Sequence, residues 1–271
     1  MKSKSVSIGK PDEGGLNEDA VIARDYIIAV SDGAGGGGLF AERWSRYLLE
    51  HLPNTIIPDA EQLDAWIDEI WEPFYVQCEN DAKQLGAMPL EKFYKEGSFA
   101  TLAALWLTSD SESQWISFGD SVAFHYNYRT KLLEHSFGTL SDFNKPPYLI
   151  NWKDEIIKLG FKKGRFSTDA DSVLFVATDA MAHYIMMMYE VCHKEQYAEE
   201  LNKAEATHTK SSNFIKIAKS MTKIDFEKDV VAKLLNCVGH EANFRAHIES
   251  RIRKGLIAFD DYSIAMFRYK K

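Results

Sequence analysis

Apolar and polar positions divide this chain into short runs of two periods. Residues 26–30 and 173–177 are continuous apolar runs, the pattern of strands buried on both faces. Val6 and Ile8 predict an opening strand within residues 1–9, and residues 20–23 a second one after the Gly14-Gly15 turn. Residues 97–107, GSFATLAALWL, predict another strand. So do residues 114–126, with Trp115, Ser117 and Gly119 alternating against Ile116, Phe118 and Asp120, and residues 131–135 are expected to pair back as their hairpin partner. A closing strand is expected at 264–269. Helical spacing is carried by Phe40, Trp44, Tyr47, Leu48 and Leu52. It returns over residues 61–86 in Leu63, Trp66, Ile67, Ile70, Trp71 and Phe74, where Pro73 is expected to kink or break the helix. The Met-rich run 185–189 reads as the core of a helix that follows Asp179. Residues 141–152, with a double proline, read as an ordered loop, and 192–254 as mostly helical and polar. No repeat, low-complexity tract or Gly/Ser linker interrupts the pattern, so residues 1–271 are expected to form one domain.

The densest signal lies at residues 26–44, YIIAVSDGAGGGGLFAERW, where a strand ends, a loop turns and a helix begins. Residues 33–38 contain five glycines, which let a backbone approach a ligand closely. Gly33, Gly35 and Gly38 match the G-x-G-x-x-G dinucleotide pattern, although so glycine-rich a run fits many patterns. No Gly-Lys-Ser/Thr closes it as a phosphate-cradling loop would require. A competing reading centres on Asp32, whose carboxylate would repel a pyrophosphate and attract a hard divalent cation, with the Gly33 carbonyl as a further oxygen ligand. The plainest reading is an Asp-Gly turn. The rest of the chain bears on the choice. Asp120 and Asp179 also end apolar stretches, Asp260 stands before the closing strand, and Asp19 precedes residues 20–23. Together they suggest one acidic pocket. Carboxylates gathered there would resist ionisation, and a bound divalent ion would relieve the repulsion. Oxygen ligands alone favour Mg²⁺ or Mn²⁺ over Zn²⁺.

Composition narrows the function classes. Of 271 residues, 45% are hydrophobic and 27% charged, which suits a chain that buries a large core. The net charge of −8 argues against non-specific nucleic-acid binding. Cys78, Cys192 and Cys237 are odd in number and form no C-x-x-C pair. A zinc site and a disulfide framework are therefore not expected, and a reducing, cytoplasmic setting is. The opening MKSKSVSIGK has no apolar stretch of the signal-peptide kind. No run approaches the roughly 20 apolar residues that would span a bilayer.

Six segments in order, NEDA at 17–20, SDGAGG at 31–36, GSFATLAAL at 97–105, FGDS at 118–121, LFVATDA at 174–180 and DDYSIAMF at 260–267, resemble the metal-dependent Ser/Thr protein phosphatases of the PPM, or type 2C, family, in their bacterial form. The resemblance spans nearly the whole chain. It implies an α+β fold, a four-layer α-β-β-α sandwich with two central antiparallel sheets and two or three Mg²⁺ or Mn²⁺ ions between them. It implies that Asp32 bridges two ions, that Gly33 offers its carbonyl, that Asp179 and Asp260 are direct ligands, that Asp19 holds a metal-bound water, and that Asp120 with Asp179 binds a further ion. A water held between two such ions would attack phosphorus, with Asp32, Asp179 and Asp260 as the catalytic core.

Departures from the family pattern are specific. The family's phosphate-gripping Arg is absent from Lys10-Pro11-Asp12-Glu13-Gly14-Gly15, so Lys10 is the candidate substrate contact, as a point charge without Arg's fork. Val122 follows Gly119-Asp120-Ser121 where an Arg is usual. Ala180 replaces a Gly, Asp261 an Asn, and Ala34 the His of some members. Two functions compete: a monomeric phosphatase acting on phosphorylated proteins, with no nucleic-acid or membrane partner, and a catalytically weak module that binds a phospho-ligand or partner protein. A nucleotide-binding oxidoreductase would need βαβ repeats after Gly38, which the order of helices and strands does not supply.

Overall fold

Strands that are apolar on both faces need cover on both sides, and this fold supplies it in four layers. The computed structural model describes residues 2–11, 14–207 and 209–268. The chain opens with β1 (Lys2–Ile8), β2 (Asp19–Ala23) and β3 (Ile27–Asp32), followed by the helices α1 (Ala41–Glu50), α2 (Ala60–Leu85) and α3 (Ala87–Glu96). Then come β4 (Phe99–Ala100), β5 (Leu102–Leu107), β6 (Glu112–Phe118), β7 (Val122–Asn127), β8 (Leu133–His135), β9 (Ile150–Asn151), β10 (Phe161–Ser167) and β11 (Ser172–Ala177). The helices α4 (Asp179–Cys192), α5 (Ala198–Glu205), α6 (Lys210–Ser220), α7 (Ala232–Cys237) and α8 (Glu241–Arg253) precede the closing strand β12 (Tyr262–Arg268).

One sheet has the order β1-β12-β11-β7-β8 and the other β10-β6-β5-β3-β2, with antiparallel pairing throughout. The period of two along each strand decides which layer a side chain joins. Ile28 and Val30 of β3 face Leu174 and Val176 of β11 between the sheets, where Ala103, Ala123 and Ala265 keep the packing thin. Ile27 and Ala29 point the other way, onto Trp44 and Leu48 of α1 and Leu63 and Ile67 of α2. On the opposite side Phe124, Phe175 and Ile264 pack under Met181, Ile185 and Met188 of α4. The Met-rich run is thus the core of a helix that follows Asp179, as expected, and the four-layer α-β-β-α arrangement holds.

Several local expectations need correction. Residues 114–126 are not one strand but two, β6 and β7, in different sheets. The chain crosses between sheets at Gly119, whose φ of 92° suits glycine. A Cβ there would meet the Tyr148 carbonyl and the Thr101 side chain, each at 2.7 Å. The pattern hides this break because β7 and the end of β6 are buried on both faces. Gly97 belongs to the end of α3 rather than to a strand, and the run after it divides at Thr101 into β4 and β5. Pro73 does not break α2, which continues through it with Pro73 on the exposed side. The stretch 141–152 holds part of a 3₁₀ turn, Leu140–Asn144, and the short β9. Strand β10, exposed along much of its length, has too few apolar positions to read as a strand. Asp12, Glu13 and Tyr269 lie outside the described residues.

Candidate metal centre

The acidic pocket forms where the strand ends of both sheets meet. On one side, β2 and β3 run antiparallel with Asp19 directly opposite Asp32, so two carboxylates share one face at the end of the ladder. Such a pair is repulsive unless something compensates it. Asp32 is held through its backbone: its N–H donates to Thr101 Oγ1 at 3.2 Å and its carbonyl accepts from Thr101 N–H at 2.8 Å. Thr101 Oγ1 lies 2.7 Å from Ser121 Oγ, tying the Asp32 corner to the β6–β7 turn that carries Asp120. Gly33 then passes between two backbones. A Cβ at that position would sit 2.6 Å from the Ala41 carbonyl oxygen and 2.8 Å from that of Glu18, so only glycine fits. The Gly33 N–H donates to the Glu18 carbonyl at 3.1 Å.

The other sheet supplies Asp179 and Asp260. Asp179 is the first residue of α4, directly after β11 and Thr178, and its Oδ1 accepts from the Ala180 N–H. Thr178 donates its hydroxyl to Asp19 Oδ2 at 2.8 Å and accepts from Ser263 N–H at 3.1 Å, so it joins the two sheets at the pocket. Asp260 precedes β12 and pairs with Lys10, Nζ to Oδ1 at 3.3 Å. Asp261, buried, accepts from two backbone groups, Lys10 N–H at 2.8 Å and Glu18 N–H at 2.9 Å. Both partners are donors. A carboxylate satisfies both, whereas an Asn would turn its own NH₂ toward one of them.

The electrostatics are those of crowded acids. Asp32 and Asp179 keep part of their surface open to the pocket, yet the surrounding protein desolvates them. Burial first, and the neighbouring carboxylates second, push both well above the usual carboxylate range. Asp19 is raised by burial, against the stabilising Thr178 hydroxyl, and Asp120 by burial and the Asp260 charge. Lys10 loses some basicity to burial, but Asp260, Asp261 and Glu18 more than offset that and hold it above its usual range. Asp120 Oδ1 is buried and has no hydrogen-bond partner among the described residues.

The structure therefore brings all the sequence-nominated residues together: Asp19, Asp32, Gly33, Asp120, Asp179, Asp260 and Lys10. Among the described residues, however, no three His, Cys, Asp or Glu side chains close on one point as a ready-made cage. A hard cation that keeps several waters and takes one or two carboxylates needs no such cage. The donor set is oxygen only and excess in negative charge, and one buried carboxylate oxygen, Asp120 Oδ1, is unpartnered among the described residues. These features fit a divalent ion such as Mg²⁺ or Mn²⁺.

Sequence reasoning missed three supports. Thr178 and Thr101 were visible only as small polar residues beside the acids, and a hydroxyl next to a strand-end Asp is too common to stand out. Glu18, within the NEDA segment, places its carboxylate against the Gly-rich loop. A Cβ on Gly35 would lie 2.0 Å from Glu18 Oε1, so the glycine makes room for that carboxylate. Burial raises the Glu18 carboxyl, with Lys10 opposing.

No family model and no curated relative matches the sequence. Solved structures do. The catalytic domain of serine threonine protein phosphatase PstP, in complex with two manganese ions, is 14% identical with a TM-score of 0.54, covering 98% of this chain and 96% of that one. Serine/threonine phosphatase Stp1 from Staphylococcus aureus is 12% identical with a TM-score of 0.56, over 100% and 96%. PppA of Pseudomonas aeruginosa, a regulatory component of T6SS, is 13% identical with a TM-score of 0.53, over 99% and 97%. Two antiparallel sheets clad by helices, aligned with these structures over nearly their full length, give this chain the fold of the bacterial PPM-type serine/threonine phosphatases.

Proposed function

We propose that the chain is a metal-dependent protein phosphatase that hydrolyses phosphoserine and phosphothreonine monoesters. The observation that carries this reading is the meeting of Asp19, Asp32, Asp120, Asp179 and Asp260, drawn from both sheets, at one desolvated pocket. Asp32, Asp179, Asp260 and the Gly33 carbonyl would hold two Mg²⁺ or Mn²⁺ ions, with Asp19 orienting a water and Asp120 contributing to a third site. Ions bound there would supply a water nucleophile of lowered pKa and neutralise the phosphoryl oxygens.

The chain's own residues prepare the site. Thr178 fixes the orientation of Asp19. Thr101 fixes the backbone of Asp32. Asp261 fixes the loop that presents the Lys10 ammonium beside the acids, where a substrate phosphate would need a cation. We infer a monomeric, cytoplasmic enzyme with one domain over residues 1–271, acting on phosphorylated proteins. No helix among the described residues is long and apolar enough to cross a membrane.

A nucleophile relay of another class is not supported. His125 lies 2.7 Å from Glu134 Oε2 and 2.9 Å from Ser172 Oγ, the residue types of such a relay. Yet Ser172 is 1% exposed, and its hydroxyl donates to Asp169 Oδ1 at 3.1 Å, so no substrate reaches it.

The test is hydrolysis of p-nitrophenyl phosphate and of a phosphothreonine peptide with Mn²⁺, with Mg²⁺ and with chelator. Activity that depends on either ion is expected. A second reading, a weakly catalytic module that binds a phospho-ligand or a partner protein, draws on the engagement of Lys10 with Asp260 and the absence of an Arg at either family position. Mn²⁺ binding without turnover would select it.

A further inference from the structure

Lys10 is anchored twice, and the two anchors differ. Its backbone N–H is fixed by Asp261 Oδ1 at 2.8 Å, and the second oxygen of that 4%-exposed carboxylate takes the Glu18 N–H. Its ammonium reaches Asp260 Oδ1 at 3.3 Å across a partly open interface, the two side chains being 33% and 38% exposed. The root of the side chain is therefore rigid, while the charged end hangs on a flexible four-carbon stem. Asp260 accepts from the Asp261 N–H through the same Oδ1 that faces Lys10.

An ammonium and a divalent cation seek the same carboxylate lone pairs, and each repels the other. On the reading of the pocket as a metal centre, we propose that Lys10 is a tethered counter-ion of Asp260 that competes with the incoming metal. It releases Asp260 when the metal binds, which leaves the ammonium free for an anionic group of the substrate. Lys10 thus lowers metal affinity and couples metal occupancy to phosphate recognition. Such coupling is reciprocal: whatever draws Lys10 away from Asp260 tightens metal binding by the same factor.

The experiment is calorimetric titration of MnCl₂ into chelator-stripped full chain, as wild type, Lys10→Met, Lys10→Arg, Asp260→Asn and the Lys10→Met, Asp260→Asn double variant. Lys10→Met is expected to bind Mn²⁺ more tightly by roughly two- to fivefold, the strength of a partly exposed ion pair. Lys10→Arg keeps the cation and is expected to show no such gain. In the Asp260→Asn background, Lys10→Met is expected to tighten binding less than it does alone. A second readout needs no variant: mass-spectrometric labelling of the Lys10 amine by an acylating reagent is expected to speed up when Mn²⁺ is added. Equal or weaker Mn²⁺ binding in Lys10→Met, or slower labelling of Lys10 with Mn²⁺, overturns the proposal while the metal centre stands. Mn²⁺ binding by none of the proteins overturns the metal centre itself, and this proposal with it.

Discussion

Thr178 donates its hydroxyl to Asp19 Oδ2 at 2.8 Å, a bond that crosses from the end of β11 to the start of β2 and so joins the two sheets at the acidic pocket. The Thr178 Oγ1 in turn accepts from Ser263 N–H at 3.1 Å. Thr178→Val keeps the volume but leaves a buried carboxylate oxygen and a buried N–H without that partner. A loss of about 1–3 kcal/mol for each unsatisfied group is expected. Thr178→Ser should retain most of the stability. Urea unfolding of the two variants, in chelator, checks this.

Asp32 and Asp120 are expected to separate in their effects. Asp32→Asn removes a repelling charge from the most crowded position. Its melting temperature in chelator should therefore rise, while phosphatase activity should fall by orders of magnitude. Asp120→Asn is expected to cost less activity. For the wild type, Mn²⁺ at a hundredfold excess over its dissociation constant should add about 2.7 kcal/mol of stability by mass action. Asp32→Asn should lose most of that gain. Scanning fluorimetry with and without Mn²⁺, beside the assay, measures both. Equal activity losses at the two positions would refute the assignment.

Glu190 gives the fold a pH dependence away from the pocket. It is 5% exposed in α4, and its Oε2 lacks a partner among the described residues. Burial, then the Glu200 charge, pushes its carboxyl up to about 8 from its ordinary 4.5. The folded state therefore holds a proton that the unfolded state has released between these two values. Stability from this group is complete below pH 4.5 and is lost progressively as pH rises to about 8. Glu190→Gln should remove that slope. Relative to it, the wild type is expected to lose on the order of a few kcal/mol between acid and mildly alkaline pH. Denaturant midpoints across that range decide; parallel curves would refute it.

Two glycines of the same loop should respond differently. Gly33→Ala drives a Cβ into the carbonyls of Ala41 and Glu18, both backbone. A cost of about 1–3 kcal/mol or more is expected, with displacement of Asp32. Nothing lies within 4 Å of a Cβ on Gly36, so Gly36→Ala should be nearly neutral. Thermal unfolding and Mn²⁺ binding of the pair test whether the close approach at Gly33 shapes the pocket.

The sequence alone determined the strands whose apolar runs are continuous, the helices whose stripes repeat at three and four, and the carboxylates that end those runs. Burial on two faces and amphipathic cover are properties of neighbouring residues, so local pattern records them. The segments resembling the PPM phosphatases carried the four-layer fold, which the structure shows. The tertiary structure alone decided the rest. Residues 114–126 read as one strand, because a crossing between two buried sheets leaves no polar gap, and Gly119 marks it only through a backbone angle. Strand β10 was silent because an exposed edge strand needs few apolar residues. The hydroxyl of Thr178 between the sheets and the hold of Asp261 on Lys10 and Glu18 join residues remote in the chain. The partners of Asp261, for example, lie 251 and 243 positions away. No periodicity encodes such contacts. They exist only once two sheets have stacked and their strand ends have met, and it is there that the acids acquire their shared, desolvated field.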